Sequence, residues 1–257
     1  MRKFLILMAT LGLVSCAGKT EQDPCKNPEY AKIKKEKAKN AIAGGDLYTP
    51  LYDLQDAQNC NPRDPEVYYL LGQTYWKRQE RDKAKENFQT ALKYNPKYSE
   101  VFLSLGDMFM EENNLDSALE NYQRAAGDDL FREAYLAWNN LGWIFLQRDQ
   151  LKEAEEALIR SLALAPNFPN PHCNLGELRS RQKKYEDAVK EYQKALQLNP
   201  GLARAHRLLG LEYNRQGKTK EACKEFSLAL KNAAPESEEA KSAGQYLKLL
   251  NCPTSSK

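Results

Sequence analysis

Glycine recurs along this chain at Gly72, Gly106, Gly142, Gly176, Gly210 and Gly244, at intervals of 34, 36, 34, 34 and 34 residues. Around Gly72 the large apolar positions follow one rule. Tyr68, Leu71, Gly72 and Tyr75 fall at i, i+3, i+4 and i+7, one face of a 3.6-residue helix. A second run, Ala84, Phe88 and Ala91, repeats that spacing and is followed by Pro96. Each period therefore predicts two amphipathic helices whose apolar faces meet. Glycine and alanine mark the places where the helix axes come closest, and aromatic side chains fill the wider gaps beside them. A proline beyond the second helix cannot continue it and sets the turn into the next unit.

The same residue types return in order. Phe102, Leu105, Gly106, Phe109, Ala118, Tyr122 and Ala125 form the next set, and Trp138, Leu141, Gly142, Phe145, Ala154, Leu158 and Pro166 the one after it. Leu175, Gly176, Ala188, Tyr192, Ala195 and Pro200 follow, then Leu209, Gly210, Tyr213, Ala222, Phe226 and Ala229. This resembles the tetratricopeptide repeat. The resemblance implies an all-α superhelix of about six helix-turn-helix repeats with a C-terminal capping helix. The clear units are 65–98, 99–134, 135–168, 169–202 and 203–236. A worn unit, 31–64, precedes them; Ala38, Leu54, Ala57 and Pro62 fit the pattern, whereas Pro50 replaces the usual small residue. Residues 237–251, with Gly244 in register, are the predicted cap, and 252–257 a tail. A single unit buries too little apolar surface to stand alone, so neighbour stacking supplies the stability and the ends need solvating caps.

The first residues follow a different rule. Arg2 and Lys3 precede an apolar run over residues 4–14, too short to span a bilayer, which reads as a signal peptide over 1–15. Its end, Leu13-Val14-Ser15-Cys16, resembles the bacterial lipobox, which implies cleavage before Cys16 and acylation of its sulfur and new amino group. The mature chain would have 257 − 15 = 242 residues, and loss of Arg2 and Lys3 takes the formal charge from +3 to +1. Ala17 and Gly18 lack the Asp that retains such proteins at the inner membrane, so the resemblance implies a lipid anchor in the outer membrane, facing the periplasm. Residues 16–30 hold few large apolar side chains and read as a flexible tether.

Composition narrows the functional classes. With 38 Lys+Arg against 35 Asp+Glu the chain lacks the charge excess of a nucleic-acid binder. A mean hydropathy of −0.73 excludes a multi-span membrane protein. There is no phosphate-cradling glycine motif, no zinc spacing of cysteines, no HExxH and no GxSxG. Both histidines, His172 and His206, occupy the position of Tyr68, Phe102 and Trp138, so each reads as a packed core-edge side chain, with a metal bridge the weaker alternative. The reading is a protein-binding scaffold without catalytic residues, cofactor, metal or small-molecule substrate.

In stacked helix pairs the first helices line a concave groove. By register the groove positions are Tyr69, Gln73, Trp76, Leu103, Asp107, Met110, Asn139, Trp143, Leu146, Cys173, Glu177, Arg181, Arg207, Leu211 and Arg215. Trp76 and Trp143 lie off the packing positions and read as binding anchors, whereas Trp138 reads as core. The 36-residue interval places two extra residues in AAGDDLFREAYLAWNNLGW, residues 125–143, and lengthens the turn between two units. The A-x-x-D-x-L-aromatic stretch within it resembles the type IV pilus pilotin lipoproteins, lipid-anchored arrays of six tetratricopeptide repeats. That resemblance implies a role in bringing the pilus secretin to the outer membrane or in its multimerisation there. The competing reading is a lipoprotein adaptor for cell-wall or proteolytic enzymes, which shares the anchor and the repeats and differs in the partner.

Six cysteines are present, and five remain once Cys16 is acylated. Cys25 precedes the first helix of the first unit and Cys60 ends its second, so antiparallel packing makes them neighbours. Cys223 starts the last second helix and Cys252 lies just past the cap that runs back alongside it. The register therefore pairs Cys25 with Cys60 and Cys223 with Cys252, leaving Cys173 as a thiol facing the groove.

Overall fold

The computed structural model describes residues 23–253; the signal peptide, Cys16 and the start of the tether lie outside the described residues. Thirteen α-helices and one short 3-10 helix, with no strand, make up the described residues, which is the all-α repeat superhelix. The first repeat pairs α1 (Tyr30–Ala43) with α2 (Thr49–Cys60), and the next three pair α3 (Pro65–Lys77) with α4 (Arg81–Tyr94), α5 (Ser99–Glu111) with α6 (Leu115–Ala126), and α7 (Ala134–Gln147) with α8 (Leu151–Leu164). The last two pair α9 (Pro169–Arg181) with α10 (Tyr185–Leu198) and α11 (Ala203–Arg215) with α12 (Thr219–Asn232), and α13 (Glu238–Leu249) closes the array.

The recurrent glycines are where the two helices of a repeat touch. A Cβ on Gly72 would lie 2.5 Å from the Phe88 ring, one on Gly106 2.5 Å from Tyr122, and one on Gly176 2.4 Å from Tyr192. Each of these glycines faces a buried ring sixteen residues later, as Gly210 faces Phe226, and Gly142 faces Leu158 in the same place at 2.6 Å. Gly244 breaks this rule, because a Cβ there meets nothing within 4 Å. No second helix follows α13, so the sixth glycine keeps the register without the steric reason for it.

The turns between paired helices carry their own repeat. Gln79, Asn113, Asp149 and Lys183 all adopt positive φ between 57° and 65°, and Gly217 takes the equivalent place at 73°. The left-handed conformation reverses the chain after the first helix, and the first and last repeats place a glycine there, Gly45 at φ 85° and Gly217.

The worn repeat is a true helix pair with a small core of Ala38, Ile42, Leu54 and Ala57. Pro50 fits because it sits in the first turn of α2, where its missing N–H has no acceptor to serve. Lysines of α1 supplement this core: Lys34 lies 2.6 Å from Asp53 and 2.8 Å from Asp56, and Lys35 reaches Asp64 at 2.7 Å and Glu66 at 2.6 Å. The hydrogen bonds that Lys34 donates to Asp53 and to Asp56 raise its pKa well above the ordinary value.

Two expectations need correction here. The end of the tether is not flexible: Asp23 caps the 3-10 helix Pro24–Lys26, and a Cys25–Cys60 disulfide with Cα atoms 5.0 Å apart ties it to the end of α2. Cys223 and Cys252 are joined at the other end of the array, with Cα atoms 5.5 Å apart. The remaining described cysteine, Cys173, does not face an open groove; it is fully buried, and burial pushes its thiol up to about 11, so it is protonated at neutral pH. Each disulfide closes a loop worth roughly 3 to 4 kcal/mol in the chain-entropy account, at an end where a stacked array frays first.

The longer interval is absorbed by residues 127–133 between α6 and α7. Phe131 turns inward and joins the largest buried cluster, while Asp128 accepts hydrogen bonds from Ser99 Oγ at 2.5 Å and from Leu130 N at 3.0 Å. The insertion is thus a built loop with Leu130 left exposed.

Candidate functional site

The first helices α3, α5, α7, α9 and α11 present residues three before, one after and four after each glycine to the concave face. The structure divides these positions into two sets. Leu103, Asn139, Leu146 and Cys173 are buried, so they pack successive first helices together and do not form groove surface. Gln73, Trp76, Asp107, Met110, Trp143, Glu177, Arg207 and Leu211 are half-buried, and Arg181 and Arg215 are exposed. In the last two repeats the residue four after glycine is Ser180 or Asn214, so Arg181 and Arg215 lie one position further along the rim.

The amino-terminal half of the face is aromatic. Tyr69 packs against Tyr98 with ring centroids 5.2 Å apart, and its hydroxyl accepts from Gln73 Nε2 at 2.6 Å. Burial pushes this phenol up to about 12. Trp76 Nε1 donates to Glu111 Oε2 at 3.3 Å, and Arg81 holds the same carboxylate at 3.0 Å. Trp76 and Trp143 each lean on a buried cluster while keeping part of the indole in solvent. Neither is free of packing. Trp138, expected in the core, is half-buried instead; it lines a cleft of about 510 Å³ on the second-helix side with Phe131, Leu141 and Phe145, under the Arg160 guanidinium at 4.6 Å.

The centre and carboxyl-terminal half are joined by a hydrogen-bond chain. Tyr122 OH donates to Asp107 Oδ1 at 2.6 Å, and Asn140 Nδ2 reaches the same oxygen at 3.3 Å. Asn139 Nδ2 donates to Asn140 Oδ1 at 3.1 Å, Asn174 Nδ2 to Asn139 Oδ1 at 2.9 Å, and Arg204 Nη2 to Asn174 Oδ1 at 2.6 Å. Arg204 also lies 3.6 Å from Glu177, which pairs with Arg181 at 3.0 Å. Arg181 in turn donates to the Leu146 carbonyl. The chain crosses four repeats and fixes their stacking angle with polar contacts that are satisfied in only one register. Burial raises the Asp107 pKa, against the lowering effect of the Tyr122 hydroxyl.

Asn140, Asn174 and Arg204 belong to this network and were not among the groove positions assigned from the sequence. Their signal is visible in it: two residues before the glycine, an apolar position in other units (Leu70, Leu208), stand Ser104, Asn140 and Asn174 in three consecutive units. A second anomaly is Glu212, 2% exposed, at a position held by Thr74, Met108, Ile144 and Leu178 in the other repeats. Its Oε2 accepts from Ser180 Oγ at 2.9 Å, its Oε1 has no hydrogen-bond partner, and Arg215 Nε stands 3.8 Å away.

The histidines are structural ties. Each Nδ1 lies 2.7 Å from a glutamate of its own second helix, His172 from Glu191 and His206 from Glu225. His206 Nε2 meets the Pro200 carbonyl at 2.9 Å, as the Tyr68 hydroxyl meets that of Pro62 at 2.9 Å four repeats earlier in the array. Among the described residues no group of three or more His, Cys, Asp or Glu side chains could hold a metal ion, and no helix is long and apolar enough to cross a membrane.

With aromatic and thioether surface at one end and Arg181, Arg204, Arg207 and Arg215 at the other, the concave face is chemically suited to an extended or helical protein segment. Known proteins agree on the architecture. The family model described as the Cilia and flagella-associated protein 70 C-terminal domain matches residues 30–255. Protein POLLENLESS 3-LIKE 2 of Arabidopsis thaliana is 42% identical over 55 residues, which cover 21% of this chain and 13% of that protein; the chain therefore spans only a small part of that relative. Among solved structures, PilW, described as a widely conserved type IV pilus biogenesis factor, superposes with a TM-score of 0.70 at 24% identity, over 82% of this chain and 97% of that one. The Pseudomonas aeruginosa protein pilF superposes at 0.73 with 21% identity, over 85% and 98%. YrrB, described as a tetratricopeptide protein with an unusual peptide-binding site, superposes at 0.53 with 18% identity, over 75% and 97%. These likenesses are likenesses of fold.

Proposed function

The chain belongs to the tetratricopeptide family described as the Cilia and flagella-associated protein 70 C-terminal domain, and on that premise we propose that it is a lipid-anchored scaffold that assists outer-membrane localisation or multimerisation of the type IV pilus secretin. The scaffold binds a protein partner through its concave face. The observation that carries the reading is the strip of Trp76, Met110 and Trp143 on successive first helices, half in solvent, on a backbone whose polar chain from Asp107 to Arg204 holds the repeats in one register. The fold likeness to PilW, a type IV pilus biogenesis factor that this chain covers almost end to end, supports a role in pilus biogenesis. The disulfides at both ends suit an oxidising compartment such as the periplasm.

The anchor is part of the proposal. Acylation of the Cys16 sulfur and amino group supplies more than one hydrocarbon chain, which is what stable retention on a bilayer requires. Deletion of the gene should abolish surface pili and heat-resistant secretin multimers, and Cys16→Ala should reproduce the loss by releasing the protein or leaving an unprocessed precursor. Normal pili with normal multimers in the deletion strain would remove the secretin assignment. A Cys16→Ala protein that still floats with outer membranes at mature size would remove the anchor.

A further inference from the structure

On the face opposite the groove, the second helices α2 and α4 of the first two repeats enclose a cleft of about 560 Å³, floored by Leu71 and Tyr75 of α3. Its volume lies within the ~300–1,000 Å³ common for small-molecule sites. Tyr48 and Tyr52 stand one helical turn apart at its lip, 70% and 78% exposed. Both phenol rings are left largely in water beside the cleft.

The Tyr48 ring is braced. The Arg78 guanidinium sits 4.4 Å from the centre of the Tyr48 ring, and it is itself held by Glu80 at 2.6 Å and the Leu47 carbonyl at 3.3 Å. Its charge is therefore spent on Glu80, and no carboxylate or ammonium group lines the cleft. What remains is a set of groups that are neutral and able both to donate and to accept: the hydroxyls of Tyr48, Tyr52 and Tyr75 and the amides of Gln55, Gln58 and Asn87. The amides are already oriented. Gln55 Nε2 donates to Gln58 Oε1 at 3.0 Å and to Asn59 Oδ1 at 3.3 Å, which leaves Gln55 Oε1 to accept and Gln58 Nε2 to donate. Asn87 Nδ2 donates to the Lys83 carbonyl at 2.8 Å, which leaves its Oδ1 to accept.

A ligand for such a site needs a flat C–H surface for the rings and a rim of groups that donate as well as accept. A charged ligand would find its only counter-charge already paired. A proline-rich peptide offers the rings a suitable surface but, poor in N–H groups, presents mainly carbonyl acceptors, and leaves Gln55 Oε1 and Asn87 Oδ1 short of donors at a desolvation cost. An apolar helix would bury the free amide atoms, Gln55 Oε1, Gln58 Nε2 and Asn87 Oδ1, unsatisfied. A pyranose ring meets both requirements, because its C–H face is apolar and each of its hydroxyls donates and accepts. We propose that this cleft binds a neutral oligosaccharide, stacked on Tyr48 and Tyr52 and hydrogen-bonded by Gln55, Gln58 and Asn87.

The site shares no residue with the groove, so it stands or falls independently of the secretin reading. Saturation-transfer NMR on the full chain tests it with triacetylchitotriose, maltotriose and a proline-rich decapeptide as probes, each at about 10 mM, enough to populate a complex of millimolar Kd. At least one trisaccharide should receive saturation. Tyr52→Ala should weaken that binding at least about tenfold, whereas Tyr52→Phe, which keeps the ring, should weaken it no more than a few-fold. Both variants alter an exposed side chain, and an unchanged circular dichroism spectrum checks that the repeat still folds. Silence from both trisaccharides overturns the proposal, as does sugar binding indifferent to Tyr52→Ala, or binding of the decapeptide in place of the sugars.

Discussion

Replacing Gly106 by alanine should damage the third repeat, and the same replacement at Gly244 should strengthen the cap. A Cβ on Gly106 would lie 2.5 Å from Tyr122 Cε1 and 2.6 Å from Cδ1, about 0.9 Å inside the 3.4 Å at which ordinary contact begins. The ring cannot retreat freely. Tyr122 is 1% exposed, and its hydroxyl donates at 2.6 Å to Asp107, which Asn140 also holds. Moving the ring by that distance breaks a hydrogen bond to a carboxylate worth about 1.5 to 3 kcal/mol, and leaving it in place overpacks the contact at about 1 to 3 kcal/mol. Alanine returns roughly 1 kcal/mol of helix propensity, so the net loss is about 0.5 to 2 kcal/mol if the hydrogen bond breaks and at most about 2 kcal/mol if the contact is overpacked. At Gly244 nothing lies within 4 Å of the added carbon, and only the propensity gain of about 0.5 to 1 kcal/mol remains. Urea unfolding with the disulfides intact measures the difference. Because a repeat array can open in parts, hydrogen exchange in α5–α6 and in α13 should localise the two effects. Gly106→Ala at wild-type stability, or Gly244→Ala as harmful as Gly106→Ala, would refute the steric argument. Combining Gly106→Ala with Tyr122→Phe should shrink the penalty, since the ring is then released from Asp107.

Trp143→Ala should weaken partner capture by about 2 kcal/mol in a pull-down titration if the groove is the docking surface, and its stability loss should fall below the ~3 to 5 kcal/mol of a buried tryptophan because part of the indole is in solvent; unchanged capture by both Trp143→Ala and Trp76→Ala would move the binding surface elsewhere. Glu212→Leu should raise stability by about 1 to 2 kcal/mol, since it replaces a buried carboxylate with an orphan oxygen by an apolar residue, as three other repeats carry at this position, and a lower midpoint in urea would contradict that. The carboxyl-terminal repeats should lose stability as pH rises through neutrality: burial acts to lower the His206 pKa, yet the hydrogen bonds to Glu225 and to the Pro200 carbonyl outweigh it and the nearby Lys224 charge, so the folded pKa is above 6.5. A folded pKa above the unfolded value means stabilisation that is complete below 6.5 and lost above the raised value. A Tm that falls between pH 6 and pH 8.5 in the wild type, and falls less in His206→Gln, is the expected pattern; an identical fall in both would assign the effect to other groups.

The repeat register was legible in the sequence because it is enforced by short-range sterics within each period. A glycine must face the large side chain sixteen residues later, alanines must line the closest approach, and proline follows most of the second helices, so spacing alone located α3 to α12 and the cap. The partners Cys25 with Cys60 and Cys223 with Cys252 followed from the same register, since antiparallel helices of known length bring known ends together. What the spacing could not carry was the angle between one repeat and the next. That angle decides whether a residue three before the glycine faces solvent, as Arg207 partly does, or the neighbouring first helix, as Leu103, Asn139 and Cys173 do. It also decides that Asn140, Asn174 and Arg204, from different repeats, share one hydrogen-bond chain, and that Trp138 opens onto a cleft beside the inserted loop. Helix periodicity specifies which side of a helix is apolar, a property of consecutive residues. The division of that side between core and groove depends on contacts between residues about 34 positions apart, and only the stacked tertiary structure brings those into register.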